Sequence, residues 1–132
     1  MSTLSPGARI SFRKTVTVAE QAMFTGISGN LGPLYVDATR AKAEGAAGMV
    51  AFELVLGALA STCLNRLAGP RHRISAMNLA FAAPVPVGGT VEAAAEFLGE
   101  DGGTLRFALT GALDGAGEVM KGTAEMRPFG DV

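Results

Sequence analysis

The sequence predicts an α+β fold in which one antiparallel β-sheet wraps a single long apolar helix. Three observations predict it. The stretch MVAFELVLGALASTCL, Met49 to Leu64, is apolar almost throughout and long enough for a buried helix. After Pro70 the pattern switches to period two, in four runs separated by turn residues. One more alternating, β-branched run, ARISFRKTVTV, lies near the N-terminus. Segregation of helix and sheet along a chain is the α+β pattern.

Each element follows from local signals. ARISFRKTVTV reads as the first strand. Thr17-Val18-Ala19-Glu20 has the form of a capping box, which starts a short helix over about Val18 to Thr25. Gly26, Gly29, Gly32 and Pro33 then break the chain into a loop. Asp37 caps a second short helix, ATRAKAEG, ending near Gly45. The long apolar helix runs from about Val50 to Ala68 and stops at AGP. HRISAMNLAFAAPV, GTVEAAAEFLGE, GTLRFALTGALDG and GEVMKGTAEMRP are four strands. DGG (Asp101 to Gly103) and DGAG (Asp114 to Gly117) are hairpin turns between them. No repeat and no interdomain linker is visible.

Composition narrows the function. With 132 residues the chain is one domain by ordinary size. At 48% hydrophobic and 17% charged it is not a disordered chain, and its surplus of apolar surface suggests a subunit interface. Eleven Lys and Arg against twelve Asp and Glu leave a net charge of −1. No basic stripe interleaved with aromatics points to nucleic acid. One cysteine, Cys63, excludes an internal disulfide and suits a reducing cytoplasm. One histidine, His72, beside one cysteine argues against a metal site. The N-terminus lacks an apolar run behind a basic start, so no signal peptide is expected. The apolar helix is short for a membrane span and carries Glu53.

Four stretches together resemble the hotdog fold and, within it, the MaoC-like (R)-specific enoyl-CoA hydratases, over roughly Phe12 to Arg127. VTVAEQAMFTGISG is similar to that family's capped helix leading into the catalytic loop. SGNLGPLYVD is similar to the loop S/T-G-D-x-N-P-I/L-H-x-D. AAGMVAFELVLGALAS is similar to the helix start G-x-x-A-H-G-M-L. MNLAFAAPVPVGGTVEAAAEF is similar to F-x-x-P-V-x-x-G-D-T-V, with Phe81, Pro84, Val85, Gly88, Thr90 and Val91 in place.

The spacing is kept while the chemical groups differ. The family's catalytic Asp falls on Asn30, its Asn on Gly32 and its catalytic His on Tyr35. Pro33, Leu34 and Asp37 are retained. In the helix motif the family's His falls on Phe52 and its glycine on Glu53; Ser61 falls on a serine of the family's pocket. In that family the Asp and His activate water, while a backbone N–H at the helix start polarises the thioester carbonyl. Asn30 can hold a water but cannot take its proton. Tyr35, with an ordinary pKa near ~10, is a poor base at neutral pH.

The resemblance therefore implies a single MaoC-like hotdog domain over residues 1–132. It implies a protein that binds acyl-CoA or acyl-carrier thioesters, retains at most atypical hydratase or dehydratase activity, and needs no cofactor. Glu53, Asn30 and Tyr35 are the candidate catalytic residues. Gly32, Phe52, Leu54 and Ser61 are the candidate substrate-binding residues. Two alternatives stand beside this: a thioesterase using Glu53 as base, and a silent subunit that partners a complete hydratase. A homodimer is expected, with neither nucleic acid nor membrane as partner. Each candidate also has a plain structural reading. Glu53 suits a helix's first turn through the dipole. Asn30 suits a turn, and Tyr35 suits a pocket wall. Ser61 shares a small-residue face with Gly57 and Ala60 that would pack closely on another helix. His72 reads as a surface residue and Cys63 as inert core.

Overall fold

The computed structural model describes residues 4–130. Its elements, in chain order, are β1 (Arg9–Thr15), α1 (Val18–Ser28), α2 (Pro33–Val36), α3 (Ala38–Ala43), α4 (Glu53–Ala68), β2 (His72–Phe81), β3 (Thr90–Asp101), β4 (Thr104–Leu113) and β5 (Gly117–Pro128). The strands form one sheet in the order β1-β3-β4-β5-β2, antiparallel at every step. The sheet curls around α4 in the hotdog arrangement.

Alternation along the strands builds the core. Val91, Ala93, Ala95 and Phe97 of β3, Leu105, Phe107 and Leu109 of β4, and Met120, Ala124 and Met126 of β5 face inward and are buried. They meet Leu56, Leu59, Ala60, Cys63 and Leu64 of α4. The Cys63 thiol donates to the Ala93 carbonyl at 3.4 Å, and burial pushes its pKa up, as suits an inert core thiol. Two of the four inward positions on β3, Ala93 and Ala95, are alanine, which lets α4 lie close to that strand. At Gly122 of β5 a Cβ would lie 1.9 Å from the Asn78 carbonyl oxygen, so only glycine fits beside β2.

Several boundaries differ from the sequence expectation, each for a physical reason. α1 passes through Gly26 and ends at Ser28, where Gly29 adopts a left-handed φ of 72° and returns its N–H to the Thr25 carbonyl. α2 is a single unexpected turn begun by Pro33 in its first position. α3 has the expected cap, with the Asp37 side chain accepting the Arg40 N–H. α4 starts at Glu53 rather than Val50, because the preceding residues are held in extended form. The Val50 N–H donates to the Leu34 carbonyl and the Ala51 N–H to the Val85 carbonyl at 2.7 Å. This places Glu53 at the first helical position.

The small-residue face of α4 packs on a strand, not on a helix: a Cβ on Gly57 would meet Leu79 of β2 at 3.1 Å. His72 is only partly exposed, and its Nδ1 is buried without a hydrogen-bond partner among the described residues. The sheet covers one side of α4 and leaves Leu54, Ala58 and Asn65 exposed on the other. α1 is inverted in polarity. It exposes Val18, Met23 and Ile27 and buries Gln21.

Candidate functional site

The loop between α1 and α2 is shaped by its own side chains. The Asn30 N–H donates to Ser28 Oγ at 3.1 Å, and Asn30 Oδ1 accepts the Gly32 N–H at 2.8 Å. Asn30 is thus a turn residue here, exposed, with its carbonyl engaged locally. Gly32 has little room for a side chain. A Cβ there would lie 3.1 Å from Asn30 Oδ1 and 3.3 Å from the Tyr35 ring.

Pro33 turns the chain so that Tyr35, on α2, comes over the start of α4. Its ring stacks on Phe52 with centroids 4.5 Å apart and planes 15° from parallel. Phe24 of α1 packs on the same Phe52 ring at 4.9 Å. Phe52 is itself buried. The stack carries the phenol to Glu53, and Tyr35 Oη donates to Glu53 Oε1 at 2.8 Å. That bond, partial burial and the carboxylate's charge all raise the Tyr35 pKa above its ordinary value. Tyr35 is therefore a protonated donor at neutral pH and cannot serve as a base.

Beneath this pair lies a residue absent from the sequence-derived candidates. Gln21 is 3% exposed. Its Nε2 donates to the carbonyls of Tyr35 at 3.0 Å and Val50 at 2.8 Å, and its Oε1 accepts the Phe52 N–H at 3.3 Å. In sequence it follows Glu20 of the capping box near the start of a short helix. That signal does not distinguish it from a surface position.

The opening of α4 has no side-chain cap. The Phe52 N–H is taken by Gln21, and the Val55 N–H returns to the Phe52 carbonyl. The Glu53 and Leu54 amides have no protein partner among the described residues, as is common for first-turn N–H groups. Leu54 points outward and is 62% exposed. Ser61 lies two turns on, about 12 Å along the axis. Its hydroxyl donates to the Ala58 carbonyl at 2.6 Å. The structure therefore gathers Tyr35, Phe52 and Glu53, sets Asn30 and Gly32 at their margin, and leaves Ser61 apart. Beside Tyr35 an apolar cleft of about 390 Å³ runs between α1 (Val18, Gln21, Ala22) and the segment formed by Leu31 of the loop and Tyr35 and Val36 of α2. Its volume is in the range of small-molecule sites.

The model of the MaoC like domain matches residues 3–111. The chain belongs to the MaoC-like domain family. Among solved structures, the (R)-hydratase from A. caviae involved in PHA biosynthesis superposes with a TM-score of 0.91 at 24% identity, over 97% of this chain and 99% of that one. The R-hydratase PhaJ1 from Pseudomonas aeruginosa gives 0.88 at 23% identity, over 95% and 82%. The ChsH1–ChsH2 complex from Mycobacterium tuberculosis gives 0.86 at 18%, over 96% and 99%. These likenesses establish the fold. No curated protein sequence is significantly similar to the chain. Among the described residues of this MaoC-like domain, no helix is long and apolar enough to cross a membrane.

Proposed function

We propose that this MaoC-like chain is a single domain that binds acyl-CoA or acyl-carrier thioesters, acts as a cytoplasmic homodimer, and lacks ordinary hydration chemistry. The observation that carries this reading is the 2.8 Å bond from Tyr35 to Glu53. A hydratase needs a base for water and an acid for the α-carbon. Here the position of the family's His holds a phenol already committed as donor, and the position of its Asp holds an amide engaged in a turn. Neither can take a proton from water. What remains suits binding. The free amides of Glu53 and Leu54, helped by the helix dipole, are donors for a thioester carbonyl. The cleft beside Tyr35 offers apolar walls to an acyl chain.

The dimer is supported by two surfaces left open by the single chain. The exposed face of α4 carries Leu54 and Ala58, and α1 exposes Met23 and Ile27. The edge strand β2 has no charged residue from Ile74 to Phe81. A second copy covers both. The paired chains of the ChsH1–ChsH2 structure keep a heterodimer with a complete hydratase as an alternative assembly.

One observation favours a second reading, thioester hydrolysis. Only Oε1 of Glu53 accepts from Tyr35, and Oε2 has no partner among the described residues. In that reaction Oε2 takes a proton from water, the water oxygen bonds to the thioester carbonyl carbon, the C–S bond breaks, and Glu53 returns the proton to the departing sulfur, which leaves as CoA thiol. Calorimetric titration with butyryl-CoA and crotonyl-CoA, alongside assays for hydration and for free CoA, tests both readings. Binding without turnover is the expected result. Rapid hydration, or no binding at all, overturns the first reading. Release of CoA that Glu53→Gln abolishes establishes the second.

A further inference from the structure

We infer that Gln21 is the positioning residue of this site, the side chain that holds Tyr35 and Glu53 at bonding distance. The inference rests on the reading of the Tyr35–Glu53 pair as the thioester site, and it concerns a residue of the capped helix α1 that lies outside the SGNLGPLYVD loop and the start of α4. The geometry is specific. One carboxamide bonds the backbone of Tyr35, whose hydroxyl is the donor, and the backbone of Phe52, which immediately precedes the acceptor Glu53. Its third bond, to Val50, holds the extended segment that delays α4 until Glu53. The two side chains that meet are therefore anchored through a common third one.

The chemistry allows only one orientation of that amide. Tyr35 and Val50 present carbonyls, which need donors, and Phe52 presents an N–H, which needs an acceptor. Both Nε2 hydrogens and Oε1 are used, so a buried amide is fully satisfied. Packing alone gives no reason for it. A leucine or methionine would fill the space and would leave two carbonyls and one amide bare. α1 has apolar residues, but Val18, Met23 and Ile27 face outward while the glutamine faces in. The bond to Phe52 also removes one of the N–H groups at the mouth of α4 and leaves those of Glu53 and Leu54 open.

The protein carries its own probe. Tyr35 is the only tyrosine and there is no tryptophan, so absorbance titration and intrinsic fluorescence report the phenol of this pair alone. Glu53→Gln sets the reference, in which the phenol ionises nearer the ordinary tyrosine value and its fluorescence at neutral pH rises. Gln21→Met, similar in length but unable to hydrogen-bond, is expected to move both signals most of the way to that reference in a folded protein. Thr17→Ala, which weakens the α1 cap without touching the pair, controls for loosening of the helix and is expected to leave both signals in place. A folded Gln21→Met with the wild-type titration overturns the inference, and so does an equal shift in Thr17→Ala. If Gln21→Met does not fold, Gln21→Asn, whose amide falls one methylene short, is read against the same two outcomes. All of these measurements are made without ligand. A failure of wild-type protein to bind thioesters would therefore count against the proposed function and not against the role of Gln21.

Discussion

The Tyr35–Glu53 bond can be weighed by a double-mutant cycle of Tyr35→Phe, Glu53→Gln and the two combined. A hydrogen bond to a charged group contributes about 1.5–3 kcal/mol when water is excluded. Both side chains here are partly exposed, so solvent competition brings the expected coupling down to about 1 kcal/mol. With an unfolding entropy of about 2.1 cal/mol/K per residue, the 132 residues convert that into a shift of roughly 3–4 °C in Tm. Thermal unfolding at neutral pH and one fixed protein concentration measures it, since association would otherwise move Tm. The pH dependence has a definite sign. Tyr35 has a raised pKa in the folded state, so its contribution is present below the ordinary tyrosine value and is lost as pH rises through the raised one. The coupling should therefore vanish in strong alkali. A neutral-pH coupling within about 0.3 kcal/mol of zero would mean that the two groups are neighbours without energetic linkage, and would refute the reasoning.

Further tests address activity, packing and acid stability. Hydration of crotonyl-CoA should fall at least ~10³-fold below that of a family member with the Asp/His pair. Asn30→Asp with Tyr35→His should raise it more than either change alone, because the two groups act as a unit. Gly122→Ala sets a methyl against the Asn78 carbonyl and should cost more than about 3 kcal/mol, or prevent folding, as denaturant titration would show. Glu20, bonded to Lys14 and to the amide and hydroxyl of Thr17, is held down to about 2 from 4.5. Its contribution is present above pH 4.5 and disappears as pH falls through 2, so Glu20→Gln should flatten the acid limb of a stability profile across that window. Sedimentation at micromolar concentration should find a dimer, and a stable monomer would leave the exposed face of α4 without an explanation.

The fold was legible because each strand alternates and each hairpin carries its own turn residues. The Thr17–Glu20 capping box and the Asp37 cap are local signals that lie where they were expected, and α4 ends at Ala68 as expected but starts late. What the sequence hid was set by contacts distant along the chain. Val50 and Ala51 look helical by composition, but Leu34 and Val85 hold them extended. That decision moved Glu53 to the first position of the helix, within reach of Tyr35. Tyr35 and Glu53 could each be singled out by spacing, but their bond spans 18 residues and no periodicity encodes it. Gln21 was invisible for a similar reason. A polar residue on a short helix reads as solvent-facing, and its three partners lie 14 to 31 residues away.

The two borders of the sheet are unlike. β1 bears Arg9, Arg13 and Lys14 along its seven residues, whereas β2 from Ile74 onward bears no charge at all. Charges on an outer strand discourage the approach of another backbone, while an uncharged one invites it. A particle that is sticky along one border only can gain a single neighbour there. After a symmetric pairing it shows the world nothing but its guarded sides. Had both borders been neutral, strand could have added to strand without limit, and the same fold would have carried the makings of a fibre. In the proposed dimer, the lysine and arginines of β1 would have a task that no ligand reveals: marking where the assembly stops.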